Sequence, residues 1–75
     1  LPPPKVIKNI GSYFLVEKGE YEAAKSVFDY YIELYPESSI AHEYMAQCCE
    51  AAGDYKQALV YSEKAVELDP TFAVA

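Results

Sequence analysis

Apolar residues recur along this chain at helical spacing, in four runs. The last is the best marked: Tyr55, Ala58, Tyr61 or Ser62, and Ala65 fall three or four residues apart, on one face of a helix over 54–68. The same spacing predicts a helix over 5–18, with Ile7, Ile10 or Gly11, and Phe14 inward and Leu15 beside them. A helix over 20–35 should bury Tyr21, Ala24, Phe28, Tyr31 and Ile32. A helix over 39–52 should bury Ala41, Met45, Cys48, Cys49 and Ala52. That third stripe is small, so neighbouring helices can approach it closely, with Ile7, Phe14 and Phe28 filling the space.

The boundaries carry their own signals. Gly53 suits the left-handed residue that ends a helix, Asp54 suits an N-cap, and Gln57 can complete a capping box. Pro70 ends the fourth helix, because the residue before a proline avoids helical backbone. Ser38 or Ser39 caps the third helix, while Glu20 is a weaker cap and predicts a start that frays. Leu1–Pro4 reads as an extended lead-in. Thr71 can cap a fifth helix beginning at Phe72.

This punctuation occurs twice, 34 residues apart. Sliding the chain by 34 pairs Gly19 with Gly53, Tyr21 with Tyr55, Ala24 with Ala58, Glu33 with Glu67, Leu34 with Leu68 and Pro36 with Pro70. Pro2 with Pro36 and Ala41 with Ala75 complete eight identities in 41 compared positions. They cluster at a helix stop, a helix start, a small packing residue and a proline.

A 34-residue period with one helix-turn-helix per unit resembles the tetratricopeptide repeat (TPR). The resemblance covers nearly the whole chain: repeats at 5–38 and 39–72, preceded by a linker at 1–4 and followed at 73–75 by the start of a third. It runs through Ser12, Gly19, Tyr21, Ala24, Phe28 and Pro36 in the first repeat and Ala46, Gly53, Tyr55, Ala58, Ala65 and Pro70 in the second. It implies an all-α fold of antiparallel helix pairs stacked as a right-handed solenoid fragment, with four helices and a short fifth. The sequence departs from the family at Gly11, where a large aliphatic residue is usual, and at Lys8 and His42, where tryptophan or another large apolar residue is favoured. Tyr31 stands where alanine is usual and Ser62 where an aromatic is, which suggests a compensating large–small pair.

The resemblance also implies a concave surface lined by the first helix of each repeat. Carried over by position, that groove would hold Val6, Asn9, Tyr13, Val16 and Glu17 from the first repeat and Ile40, Glu43, Gln47 and Glu50 from the second, with Tyr13 as anchor. The carboxylate-clamp TPRs are a poor match, because Tyr13 and Tyr44 stand at their asparagine positions and the chain has no arginine.

Charge narrows the partners. The net charge of −6 argues against nucleic acid, whose binding rests on neutralising phosphates. All six basic residues are lysine, so no bidentate guanidinium is available. No apolar run has the length of a membrane helix. Cys48 and Cys49 are adjacent, point about 100° apart on a helix and read as small core residues. With no disulfide to suggest otherwise, the cytoplasm is the expected compartment and the periplasm the alternative.

Nothing reads as catalysis. His42 has no ligand or base at i+3 or i+4, and the glycines at 11, 19 and 53 are isolated, so neither a metal site nor a phosphate-binding loop is expected. No cofactor is expected. The chain therefore reads as a non-catalytic protein–protein interaction or scaffold module that binds a protein or peptide segment. A second reading is the tail of a larger enzyme. The run Tyr35-Pro36-Glu37-Ser38-Ser39-Ile40-Ala41-His42 and the step Ala51-Ala52-Gly53-Asp54 resemble TPR tails that follow esterase-like hydrolase domains in some bacteria. There the appendage would serve oligomerisation or regulation. Two repeats and a fraction are few for a solenoid, and the start at Leu1-Pro2-Pro3-Pro4 suggests an excised piece; self-association is a third reading.

Overall fold

The computed structural model describes residues 1–71. Four helices follow one another: α1 (Pro4–Ser12), α2 (Tyr21–Leu34), α3 (Ser39–Ala51) and α4 (Tyr55–Leu68), with a π-helical segment at Tyr13–Glu17 continuing α1. Short loops make successive helices antiparallel neighbours. Packing runs in series: α1 on α2, α2 on α3 and α3 on α4. The helix expected from Phe72 lies outside the described residues.

The helix ends follow the sequence signals closely in the second repeat. Gly53 has φ 85°. The N–H of Asp54 bonds the Cys49 carbonyl at 2.8 Å and that of Gly53 bonds Glu50 at 3.0 Å, a Schellman closure that only a residue tolerant of positive φ permits. The Asp54 carboxylate accepts the Gln57 N–H at 3.2 Å, one arm of the capping box. Ser38 is the cap of α3, its Oγ accepting the Ala41 N–H at 3.2 Å.

The first repeat departs from expectation at three points. α1 opens at Pro4, so this proline is inside the first turn; its fixed φ and missing N–H suit the N1 position. Pro3 alone is confirmed as extended backbone, with φ −65° and ψ 149°. The regular α-helix then ends at Ser12, not Lys18, because Tyr13–Glu17 is wound more widely. Lys18 N–H reaches the Tyr13 carbonyl at 3.2 Å, and Glu20 N–H reaches Phe14 at 2.9 Å. Gly19, at φ 64°, thus closes the helix one residue wider than Gly53 does.

The core is Ile7, Ala24, Phe28, Tyr31, Ala41, Met45, Cys48, Cys49 and Ala58, with Phe14, Leu15, Ile32, Tyr44 and Tyr61 packed against it. Gly11 is the inward residue of its pair, and Ile10 is exposed. A Cβ at Gly11 would lie 2.4 Å from Phe28 Cζ, so the ring occupies the volume that a family-typical aliphatic would fill. Two expected core residues are not buried. Tyr21 is exposed in the first turn of α2, and Ala52 is exposed because it is the C-cap of α3, where the chain turns away. Conversely, His42 and Ala46 are buried, since α3 packs against α2 on one side and α4 on the other and so has two inward stripes. Tyr31 meets Tyr35 edge-on at 6.0 Å and lies 3.5 Å from Ser38 Oγ through its hydroxyl.

Candidate protein-binding surfaces

Five of the nine residues expected in one groove fall in three separate clefts. Ile40, Glu43 and Gln47 line a cleft of about 280 Å³ between α1 and α3, together with Lys8 and Tyr44. Helical spacing puts Ile40, Glu43 and Gln47 on one side of α3, and the stacking of Tyr44 on Phe28 (centroids 5.1 Å, planes 21° apart) fixes the floor. Glu43 and Gln47 also face the other way, joining Glu50, Tyr55, Leu59 and Ser62 around a cleft of about 320 Å³ between α3 and α4. Val6 belongs to the opposite end. With Pro2, Ile10, Val27 and Tyr30 it lines an apolar cleft of about 330 Å³ between α1 and α2.

Asn9, Tyr13, Val16 and Glu17 line none of these clefts and are exposed. Tyr13, Val16 and Glu17 are carried by the π-helical segment. Tyr13 packs edge-on against Phe14 at 5.6 Å, and the Lys18 ammonium sits 5.9 Å from its ring centroid. An aromatic with one face against protein and a cation near the ring is held in place yet open to a partner.

Lys8, Tyr44, Ile10, Val27 and Tyr30 were absent from the expected groove. The phase of each could be read in sequence: Lys8 and Ile10 flank the Ile7–Gly11 stripe on opposite sides. What the sequence lacks is which flank meets α3 and which meets open space.

The groups with chemical potential are occupied in packing. His42 is 6% exposed; its Nδ1 donates to the Ser38 carbonyl at 2.9 Å, and its ring lies 6.3 Å from Tyr61. Burial pushes the Cys48 thiol up to about 11, with the neighbouring Cys49 and Asp29 adding in the same sense. Cys49 is raised too, chiefly by burial. Both stay protonated at neutral pH, and a protonated thiol is a poor nucleophile and metal ligand. No helix among the described residues is long and apolar enough to cross a membrane.

The family model described as tetratricopeptide repeat matches residues 15–75. The chain belongs to the tetratricopeptide repeat family. No curated protein matches it. TPRs are typically non-catalytic scaffolds that bind protein partners, and the four packed helices with paired glycine closures are the repeat architecture in this chain. The TPR lead-in is also tied down here: Tyr35, at the end of α2, donates its hydroxyl to the Pro2 carbonyl at 2.9 Å.

Proposed function

We propose that this TPR module binds a peptide segment along α1 and α3, in the cleft lined by Lys8, Ile40, Glu43, Tyr44 and Gln47. The observation that supports this reading is the combination of an exposed apolar contact, Ile40, with carboxylates at Glu43 and Glu50 on the same helix. Tyr13 on the π-helical segment extends the surface, and π-helical turns recur at functional sites. Asn9 and Glu17 stand exposed on α1 and the segment beyond it, outside the cleft, and Val6 lines the separate cleft between α1 and α2. The segment that fits carries an apolar residue for Ile40 and Tyr44 and a basic residue for Glu43 or Glu50. The role is binding and scaffolding without catalysis, at home in the cytoplasm.

Selection of random displayed peptides on the 75-residue chain tests this. The expected binders are basic and contain an aliphatic or aromatic residue. Glu43→Lys with Glu50→Lys should abolish their capture, and Tyr13→Ala should weaken it by about tenfold, on the order of 1.4 kcal/mol. Binders indifferent to all three changes would place the binding surface elsewhere.

The reading as an appendage of an esterase-like hydrolase rests on the run from Tyr35 to His42 and the step from Ala51 to Asp54. Several of these residues have a task in the fold: Tyr35 holds Pro2, Ser38 caps α3, Ala41 is buried and His42 bonds back to Ser38. Packing therefore accounts for much of that run without a second domain.

A further inference from the structure

The two helices that flank the α1–α3 cleft are of opposite charge. The first carries Lys5 and Lys8, and residues 1–16 contain no carboxylate. The other carries Glu43 and Glu50, and residues 39–51 contain no lysine. Lys8 and Glu43 line the same space of about 280 Å³, and each is half-buried. Yet they do not meet. Lys64 with Glu67 is the one ion pair among the described residues, so the two charges share the cleft without closing it. Ile40 and Tyr44 are the apolar contacts of that same space.

An occupant of such a cleft is best matched when it satisfies both charges. A cation alone would pair with Glu43 and be repelled by Lys8, and an anion alone would meet the reverse. Length sets the arrangement. Facing helix axes lie about 10 Å apart and an extended chain advances about 3.3 Å per residue, so about three residues cross from one helix to the other.

We infer that the cleft selects an amphoteric peptide segment, with an acidic residue on Lys8, an apolar residue on Ile40 and Tyr44, and a basic residue on Glu43. This rests on the peptide-binding role proposed above and names the chemistry of the segment. The charges act more on specificity than on affinity. The net charge of −6 draws basic segments from a distance, and Lys8 then favours those that also carry an acid about three residues from the base.

Fluorescence anisotropy on the full 75-residue chain tests it with short capped peptides. Each holds one leucine in a glycine–serine background and differs only in the flanking pair: glutamate with lysine, glutamine with lysine, or lysine with lysine, in both orders. The glutamate–lysine peptide should bind best, and changing its glutamate to glutamine should weaken it about three- to fivefold. The same change should make no difference to Lys8→Gln, whereas Lys8→Glu should prefer the lysine–lysine peptide. Lys8→Met keeps an unbranched apolar stem in place and should repeat the Lys8→Gln result, so that a folding defect in one variant does not decide the outcome. Peptides that are lost with Glu43→Gln but indifferent to their own glutamate overturn the inference and leave the peptide-binding role standing. So does a glutamate effect that persists in the Lys8 variants, since the acid then sits elsewhere. If none of the peptides binds, or all ignore Glu43→Gln, the peptide-binding role at this cleft falls and the inference falls with it.

Discussion

Gly11 leaves the Phe28 ring no room to spare. Alanine would improve helix propensity by up to about 1 kcal/mol. Its Cβ would also fall 2.4 Å from a ring that is fully buried and has nowhere to move. Overpacking of this kind costs about 1–3 kcal/mol, so Gly11→Ala should destabilise in urea unfolding, and Phe28→Leu in the same chain should recover part of the loss. The cysteines make a separate prediction. Cys48 holds its proton to about 11 in the fold, while the unfolded thiol releases it near 9. The effect is absent below the unfolded value, and stability then falls as pH rises from about 9 through 11. Tyr61, also raised by burial, acts in the same direction. Cys48→Ala with Cys49→Ala should flatten the alkaline side of a pH series of melts.

The helices differ in how well their ends are made. Glu20 and Asp54 hold nearly the same backbone, φ −93° and ψ 81° against φ −91° and ψ 77°, but only Asp54 accepts a cap hydrogen bond. The backbone at Glu20 is already shaped for a cap, and the side chain is one carbon too long. Glu20→Asp should therefore stabilise by about 0.5–1 kcal/mol and Asp54→Ala should destabilise by about 1, both read as shifts in urea midpoint. The helix-crossing alanines also differ. Ala24 is fully enclosed, whereas Ala58 borders the open α3–α4 cleft. Leucine should cost about 1–3 kcal/mol at Ala24 and less at Ala58, where the added volume can turn toward the cleft. Equal losses in thermal unfolding would mean that the cleft is closed in solution.

Across the whole molecule, what was legible in the sequence is what local chemistry decides. Gly19, Gly53, Asp54, Ser38 and the prolines located the helix ends because each answers a backbone need at its own position. The 34-residue register then gave the order of packing. The π-helical segment was hidden, since nothing in Tyr13–Glu17 forbids ordinary helix and the wider winding is a tertiary outcome. The two inward stripes of α3 were hidden for a related reason: one stripe explains an outer helix, but α3 lies between two others. The candidate groove was predicted as a single surface because a continuous solenoid would make it one. In this chain Val6 lines the α1–α2 cleft and Glu50 the α3–α4 cleft, and neither placement can be read without knowing which flank of each helix meets a neighbour. The compensating pair suggested for Tyr31 and Ser62 also reads differently. Tyr31 belongs with Tyr35 and Ser38, and the tight fit is instead between Gly11 and the Phe28 ring, whose counterparts 34 residues on are Met45 and Ser62.

That fit limits how such a gene can be recombined. At these two positions the first unit has glycine and then phenylalanine, and the second methionine and then serine. A crossover inside a unit that set methionine at the place of Gly11 would crowd the Phe28 ring. Breakpoints that leave each helix pair whole avoid that fault. The leading helix of the second unit cannot stand in for that of the first unless its following helix comes with it.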